Sequence, residues 1–133
     1  MKNKREYMEA NRQWLIRKAT EEGIKALPKG IYYKELNSGK ADERHPSPRD
    51  IVSVYYSGMT IDGNFFDRNL GSVPTAFRLC DLIEGWIVAI GHMTIGDKWE
   101  IYIPAEMGYG KFSQPGIPAG STLIFQIELI GIN

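Results

Sequence analysis

The chain has 133 residues, and its 16 lysines and arginines balance 16 aspartates and glutamates. That length is enough for one domain around one core, and the neutral balance leaves no sequence-wide positive field for nucleic acid or an anionic membrane surface. A single cysteine, Cys80, excludes an intramolecular disulfide and any cysteine-cluster zinc or iron–sulfur site, and reads as an inert buried thiol, with a reactive one as the alternative.

In chain order, Met1-Lys2-Asn3-Lys4-Arg5-Glu6-Tyr7 resembles the basic start of a secretory signal, but the apolar segment that should follow is missing. As written the chain is expected in the cytoplasm; a periplasmic or surface-anchored protein is the alternative if a leader has been removed. No run approaches the ~20 apolar residues of a membrane span, so none is expected. From Glu6 to about Ala26 there is no proline, and Met8, Trp14, Leu15, Ala19 and Ile24 are interleaved with charges, the pattern of an amphipathic helix that Gly23 can end early. Trp14 and Leu15 are expected to dock on the helix's own sheet, with a second copy of the chain as the alternative. Leu27-Pro28-Lys29-Gly30 is a breaker.

Gly30 to Leu36 reads as the first strand, and Lys40 to Asp50, with Pro46 and Pro48, as a loop carrying a solvated His45 that has no second metal-ligand type near it. Ile51 to Met59 is the strongest strand pattern, with Val52, Val54 and Tyr56 on one face. The Asp62-Gly63 turn then predicts a hairpin into Phe66 and Asp67. A carboxylate beside a large aromatic needs a partner; Asp67 reads equally as a turn cap or as a site residue. After a loop from Arg68 to Pro74, a short strand, Thr75 to Leu79, leads to Leu82-Ile83-Glu84-Gly85-Trp86-Ile87-Val88-Ala89-Ile90-Gly91, a very short helix. Gly85 there lets another chain or a ligand approach the backbone, and Trp86 is either a core plug or a pocket floor.

His92 reads as a capping or solvated residue, and Asp97 to Ile103 as a strand. Residues 105–121 hold too much glycine and proline for a regular element, yet carry Tyr109, Phe112 and Ile117, which a solvated loop does not need. Gly108-Tyr109-Gly110 is not a dinucleotide fingerprint. Thr122 to Ile132 is a strand with Leu123, Phe125, Ile127 and Leu129 on its apolar face. About five strands without long helices between them predict an α+β fold, an antiparallel sheet with the short helix packed across it. Tyr56, Phe66, Trp86, Tyr109 and Phe125 come from five separate places, and an apolar concavity of that kind suits a small-ligand site.

Several ordered motifs now carry a resemblance: Val54-x-Tyr56-Ser57-Gly58-Met59, Asp62-Gly63-x-x-Phe66-Asp67, Phe77-x-Leu79, Ile83-x-Gly85-Trp86, Gly91-x-Met93-x-x-Gly96, Ile103-Pro104, Tyr109-Gly110, Ile117-Pro118 and Thr122-Leu123-x-Phe125. In order and spacing the chain resembles the FKBP-type peptidyl-prolyl cis–trans isomerases, the macrolide-binding immunophilins, over nearly all of residues 30–132. The resemblance implies a twisted antiparallel sheet wrapped on a short central helix, an isomerase domain over residues 30–133, and an N-terminal helical extension over 1–29 like the short leader of bacterial members, whose longer versions mediate dimerisation. It implies Trp86 as the floor of a proline pocket and Tyr56, Phe66 and Phe125 as walls. Ile83 would add a wall and a backbone N–H, Tyr109 a hydroxyl, Asp67 a carboxylate beside the twisting carbonyl, and Leu82 and Ile117 the rim.

No cofactor and no metal are implied. The expected partners are proline-containing peptides and unfolded proteins, and macrolide inhibitors, with no nucleic acid; the chain itself is a monomer or a dimer through its N-terminal helix. A non-catalytic chaperone or protein-binding module of the same fold is the alternative. Thr75 stands where the family often has another aromatic, and the segments 79–83 and 114–117 are shorter than in eukaryotic single-domain members, departures that bear on substrate preference and macrolide affinity.

Overall fold

A computed structural model describes residues 2–39, 43–69, 71 and 73–133. Parts of the expected 40–50 and 68–74 loops, and Met1 of the expected signal-like start, lie outside the described residues. Helix α1 spans Lys4–Lys18 and opens with a reciprocal cap: Asn3 Oδ1 accepts the Glu6 N–H at 2.8 Å, and Glu6 accepts the Asn3 N–H at 3.3 Å. It is shorter than its pattern predicts. The Thr20 hydroxyl donates to the Arg17 carbonyl at 2.8 Å, and Gly23 turns the chain at φ 85°. The last residues of the expected helix, Ile24–Ala26, instead form strand β1.

The remaining strands are β2 (Tyr32–Asn37), β3 (Ile51–Met59), β4 (Phe65–Arg68), β5 (Thr75–Arg78), β6 (Lys98–Ile103) and β7 (Leu123–Ile132), and the second helix is α2 (Glu84–Ile90). Among the described residues the sheet therefore has seven strands, in the order β1-β2-β6-β7-β3-β4 with β5 also beside β3 and every pairing antiparallel. About five were expected, and β1, too short to show an alternation of its own, is the strand that the sequence pattern does not reveal. Strands β4 and β5 share one edge of β3: β4 pairs with Ser57 to Met59, β5 with Ile51 to Val54.

Alternation sends Leu123, Phe125, Ile127 and Leu129 of β7 and Val52 and Val54 of β3 to one buried face. Helix α2 covers that face with Trp86, Ala89 and Ile90. The close approach expected at Gly85 is made by β6: a Cβ there would lie 2.6 Å from Ile103 Cδ1, which explains the glycine. His92 accepts its expected capping place, its Nδ1 2.7 Å from the Val88 carbonyl, and the exposed His45 has Nδ1 3.0 Å from the Met93 carbonyl. Cys80 departs from expectation. In the turn Leu79–Asp81 it is Leu79 that enters the core, which leaves the Cys80 side chain exposed. No helix among the described residues is long and apolar enough to cross a membrane.

Helix α1 lies on the body of its own chain. The Asn11 side chain, 1% exposed, accepts the Thr122 N–H at 2.7 Å and donates to Tyr7 O at 2.8 Å; Trp14 packs on Tyr102 with ring centroids 5.9 Å apart. Of the two residues expected at a docking surface, Trp14 is thus engaged within the chain, and Leu15 lines a groove beside it.

Candidate active site

Trp86 is 4% exposed and belongs to the core, yet it also borders a cavity of about 480 Å³ at the open side of the sheet. The two readings of this residue are both met, because a flat ring can seal the core with one side and line a hollow with the other. Three rings stand nearly perpendicular to it: Tyr56 (centroids 5.3 Å, 79°), Phe77 (5.8 Å, 88°) and Phe125 (5.2 Å, 89°). Phe66 stands edge-on to Phe125 at 5.6 Å and 85°. Edge-to-face contacts of this kind contribute roughly 0.5–1.5 kcal/mol each beyond area burial, so the basket holds its own shape.

Backbone geometry makes room for these rings. Tyr56 and Phe125 arrive on the neighbouring strands β3 and β7, where Gly58 is the register partner of Phe125. A Cβ at Gly58 would lie 2.5 Å from Phe125 Cε1 and 2.7 Å from Phe66 Cζ, so only glycine lets both walls close. The rim is the tip of the long loop. Gln114 and Ile117 exchange main-chain hydrogen bonds of 2.9 and 2.8 Å across a turn centred on Pro115 and Gly116, the glycine at φ 77°. Ile83 is the N-cap of α2; its carbonyl accepts the N–H groups of Trp86 and Ile87 at 3.0 and 3.2 Å. The N–H of an N-cap residue has no place in the intrahelical ladder.

The polar groups are few. The Tyr56 hydroxyl donates to Asp67 Oδ2 at 2.9 Å, which supplies the partner that a carboxylate beside Phe66 requires. Burial, and then that hydrogen bond to Asp67, push the Tyr56 phenol up to about 12, so it remains a neutral donor at any ordinary pH. Asp67 itself is exposed at the mouth, and Asp81 lies on the same lining.

The cavity gathers all nine side chains named from the sequence: Tyr56, Phe66, Asp67, Leu82, Ile83, Trp86, Tyr109, Ile117 and Phe125. It adds Phe77, Asp81, Gln114 and Pro115. Phe77 was legible, since alternation along β5 puts it on the face of Leu79, and the Pro115-Gly116 pair marks the tip of a turn. Asp81 carried no signal, because its place follows from one turn of 3₁₀ geometry. Chemically, the lining offers a dry, aromatic recess with hydrogen-bonding groups at its edge and no nucleophile paired with a base, an arrangement for binding and reshaping a ligand without covalent chemistry.

Known proteins resemble this chain in sequence and in fold. The family described as FKBP-type peptidyl-prolyl cis-trans isomerase matches residues 42–130. The chain is 38% identical over 115 residues to the FKBP-type peptidyl-prolyl cis-trans isomerase FkpA of Escherichia coli strain K12, covering 86% of this chain and 42% of that protein. It is 38% identical over 112 residues to the outer membrane protein MIP of Legionella longbeachae, covering 83% of this chain and 47% of the relative. A crystal structure of a peptidyl-prolyl cis-trans isomerase from Pseudomonas syringae pv. tomato superposes with a TM-score of 0.91 at 31% identity, over 100% of this chain and 98% of that one. The chain spans about half the length of the curated relatives it matches.

Proposed function

As the chain belongs to the FKBP-type peptidyl-prolyl cis-trans isomerase family, we propose that its aromatic cavity binds X-Pro segments of peptides and unfolded proteins and speeds rotation about their prolyl bonds. The observation that carries this reading is the set of perpendicular rings around Trp86 with the Tyr56–Asp67 pair at the mouth. Amide resonance sets a rotational barrier of ~18–20 kcal/mol, whereas cis and trans X-Pro differ by only ~0.5–1 kcal/mol, so the task is to bind the twisted amide better than either planar one. The proline ring rests on Trp86 between Tyr56, Phe66 and Phe125, with Leu82 and Ile117 closing the rim. The peptide carbonyl before the twisting bond meets Asp67, and flanking carbonyls accept from the Ile83 N–H and the Tyr109 hydroxyl. Removing water from an amide that has lost conjugation favours the twisted state, because the planar, more polar amide loses more hydration. No group need be protonated or attacked.

A protease-coupled assay on short X-Pro peptides tests the proposal. Isomerisation faster than the spontaneous rate, and inhibited by a macrolide that fills the recess, is expected; a spontaneous rate with folded protein overturns it. We place the protein in the bacterial cell envelope, on the model of the Legionella relative, and expect residues 30–133 to form the isomerase domain with residues 1–29 as an extension that docks on its own chain, since Trp14 is engaged there. A second reading is favoured by Phe112, 77% exposed on the loop that supplies Tyr109, Gln114 and Pro115. Such an apolar side chain can hold unfolded polypeptide, and suppression of aggregation that survives Asp67→Val and Tyr109→Phe would separate holding from catalysis.

A further inference from the structure

On one edge of β3 the ladder with β4 begins at Ser57 and Arg68, and the ladder with β5 ends at Val54 and Thr75. Between those pairs, Tyr56 is matched with neither β4 nor β5 among the described residues. A bare edge would leave the backbone of a cavity wall free to shift, and Tyr56 is such a wall. Asn69 closes the gap. Its Oδ1 accepts the Tyr56 main-chain N–H at 2.9 Å, and its own main-chain N–H donates to the Tyr56 carbonyl at 3.1 Å. Its Nδ2 donates to the Val54 carbonyl at 3.1 Å and to Thr75 Oγ1 at 2.9 Å. One residue therefore satisfies both main-chain groups of Tyr56 and spans from the end of β4 to the start of β5, replacing the missing stretch of ladder.

The acceptor of the Tyr56 hydroxyl is carried by the same segment. Asp67 lies two residues before Asn69 and is the register partner of Gly58, two residues after Tyr56. Tying residue 69 to the Tyr56 backbone thus sets how far the phenol is from the carboxylate. Thr75, a departure from the aromatic that the family often has at that position, here serves as the acceptor that orients the Asn69 amide.

We propose that Asn69, oriented by Thr75, is a positioning residue that fixes the Tyr56 wall and holds the Tyr56 hydroxyl on Asp67. Its catalytic consequence rests on the isomerase reading above, whereas the placement of Tyr56 does not. The amide is needed specifically: aspartate at 69 keeps the acceptor for the Tyr56 N–H and can accept from the Thr75 hydroxyl, but loses the donor to Val54, and alanine loses all of the side-chain bonds.

The test pairs two readouts on Asn69→Ala and Asn69→Asp. Tyrosine-ring NMR follows the Tyr56 phenol, which burial and then the Asp67 bond push up to about 12; loss of that bond should lower it in Asn69→Ala, and less in Asn69→Asp, while the part due to burial stays. In the isomerase assay, Asn69→Ala should lower kcat/KM about tenfold in the native background and clearly less in a Tyr56→Phe background, which keeps the ring and main-chain bonds but has no phenol to hold on Asp67. An unchanged Tyr56 titration in a folded Asn69 variant, or an equal loss in both backgrounds, overturns the proposal. Should Asn69→Ala fail to fold, the aspartate variant carries both measurements. A native protein without isomerase activity would defeat the functional reading, and the titration would still decide what Asn69 does.

Discussion

Two hollows of similar size open on this small domain, and they differ in what their polar groups are doing. The aromatic basket encloses about 480 Å³ and the groove beside α1, lined by Met8, Leu15, Ile16 and Tyr32 among others, about 350 Å³. Both are apolar. In the groove, whose lining also includes the exposed Arg12 and Glu106, Asn11 and Thr122 are spent on each other: the Thr122 N–H donates to Asn11 Oδ1 at 2.7 Å and the Thr122 hydroxyl to the Asn11 carbonyl at 3.3 Å, deep in the seam. In the basket, the Tyr56–Asp67 pair sits at the open mouth, where Asp67 still has lone pairs to offer. Apolar area alone does not distinguish a binding recess from the joint between a helix and the body beneath it. What differs is the paired polar groups: the buried Asn11–Thr122 pair orients an internal contact, while the Tyr56–Asp67 pair, with Asp67 exposed, can orient a ligand.

The sharpest way to break this contrast is Trp86→Ala. It should cost about 3–5 kcal/mol of stability by urea unfolding, as large aromatic truncations in cores do, and bring the isomerase rate down to the spontaneous one; a folded variant with native activity would make the basket mere core. Asn11→Ala should cost about 1–3 kcal/mol, because the Thr122 N–H is left buried without its partner, with kcat/KM unchanged. A matching loss of activity would couple the two hollows and dissolve the distinction between them. Asp67→Ala has the opposite signature, expected to lower kcat/KM about tenfold while the unfolding midpoint hardly moves, since its carboxylate is exposed and makes a single modest bond.

The smallest effect is in alkali. The Tyr56 phenol is raised in the folded protein by burial and by Asp67, and that of Tyr102, beneath Trp14, is raised by burial and by its hydrogen bond to Glu100. A raised acid contributes stability that is complete below its unfolded value of about 10 and is lost as pH climbs through its folded value. Stability should therefore be level up to about pH 10 and decline beyond it, through about 12 for Tyr56. Tyr56→Phe should remove the part of that decline that belongs to the basket, and Tyr102→Phe the part that belongs to the seam; chemical denaturation across that range separates them.

Much of this was open to a reader of the sequence. Alternation alone placed Val52 and Val54 of β3 and the apolar face of β7, because a strand's two faces differ by a period of two that needs no knowledge of neighbours. The Asp62-Gly63 hairpin turn was legible for the same local reason. The ordered motifs named the family, and with it nine side chains that do meet around one cavity. Local signals failed where two elements compete for the same residues. The helix pattern ran on to Ala26, but Ile24–Ala26 gains a ladder partner in β2 by leaving the helix. Cys80 looked like core until a 3₁₀ turn gave its place to Leu79.

What the sequence determined by itself was the alternating strands, the apolar short helix and the stock of aromatics, all of them consequences of residue type and short-range spacing. Only the tertiary structure decided that Trp86 faces both core and cavity, that Gly85 admits Ile103, that Asn11 meets a residue 111 positions away, and that one asparagine stands in for a missing strand beside Tyr56. Those outcomes depend on strand register and on how α1 and α2 settle on the sheet. A shift of one residue in a strand would turn its side chains to the other face, and the seats of Asn11, Gly85, Trp86 and Asn69 follow from contacts between segments far apart in the chain, which no local spacing records.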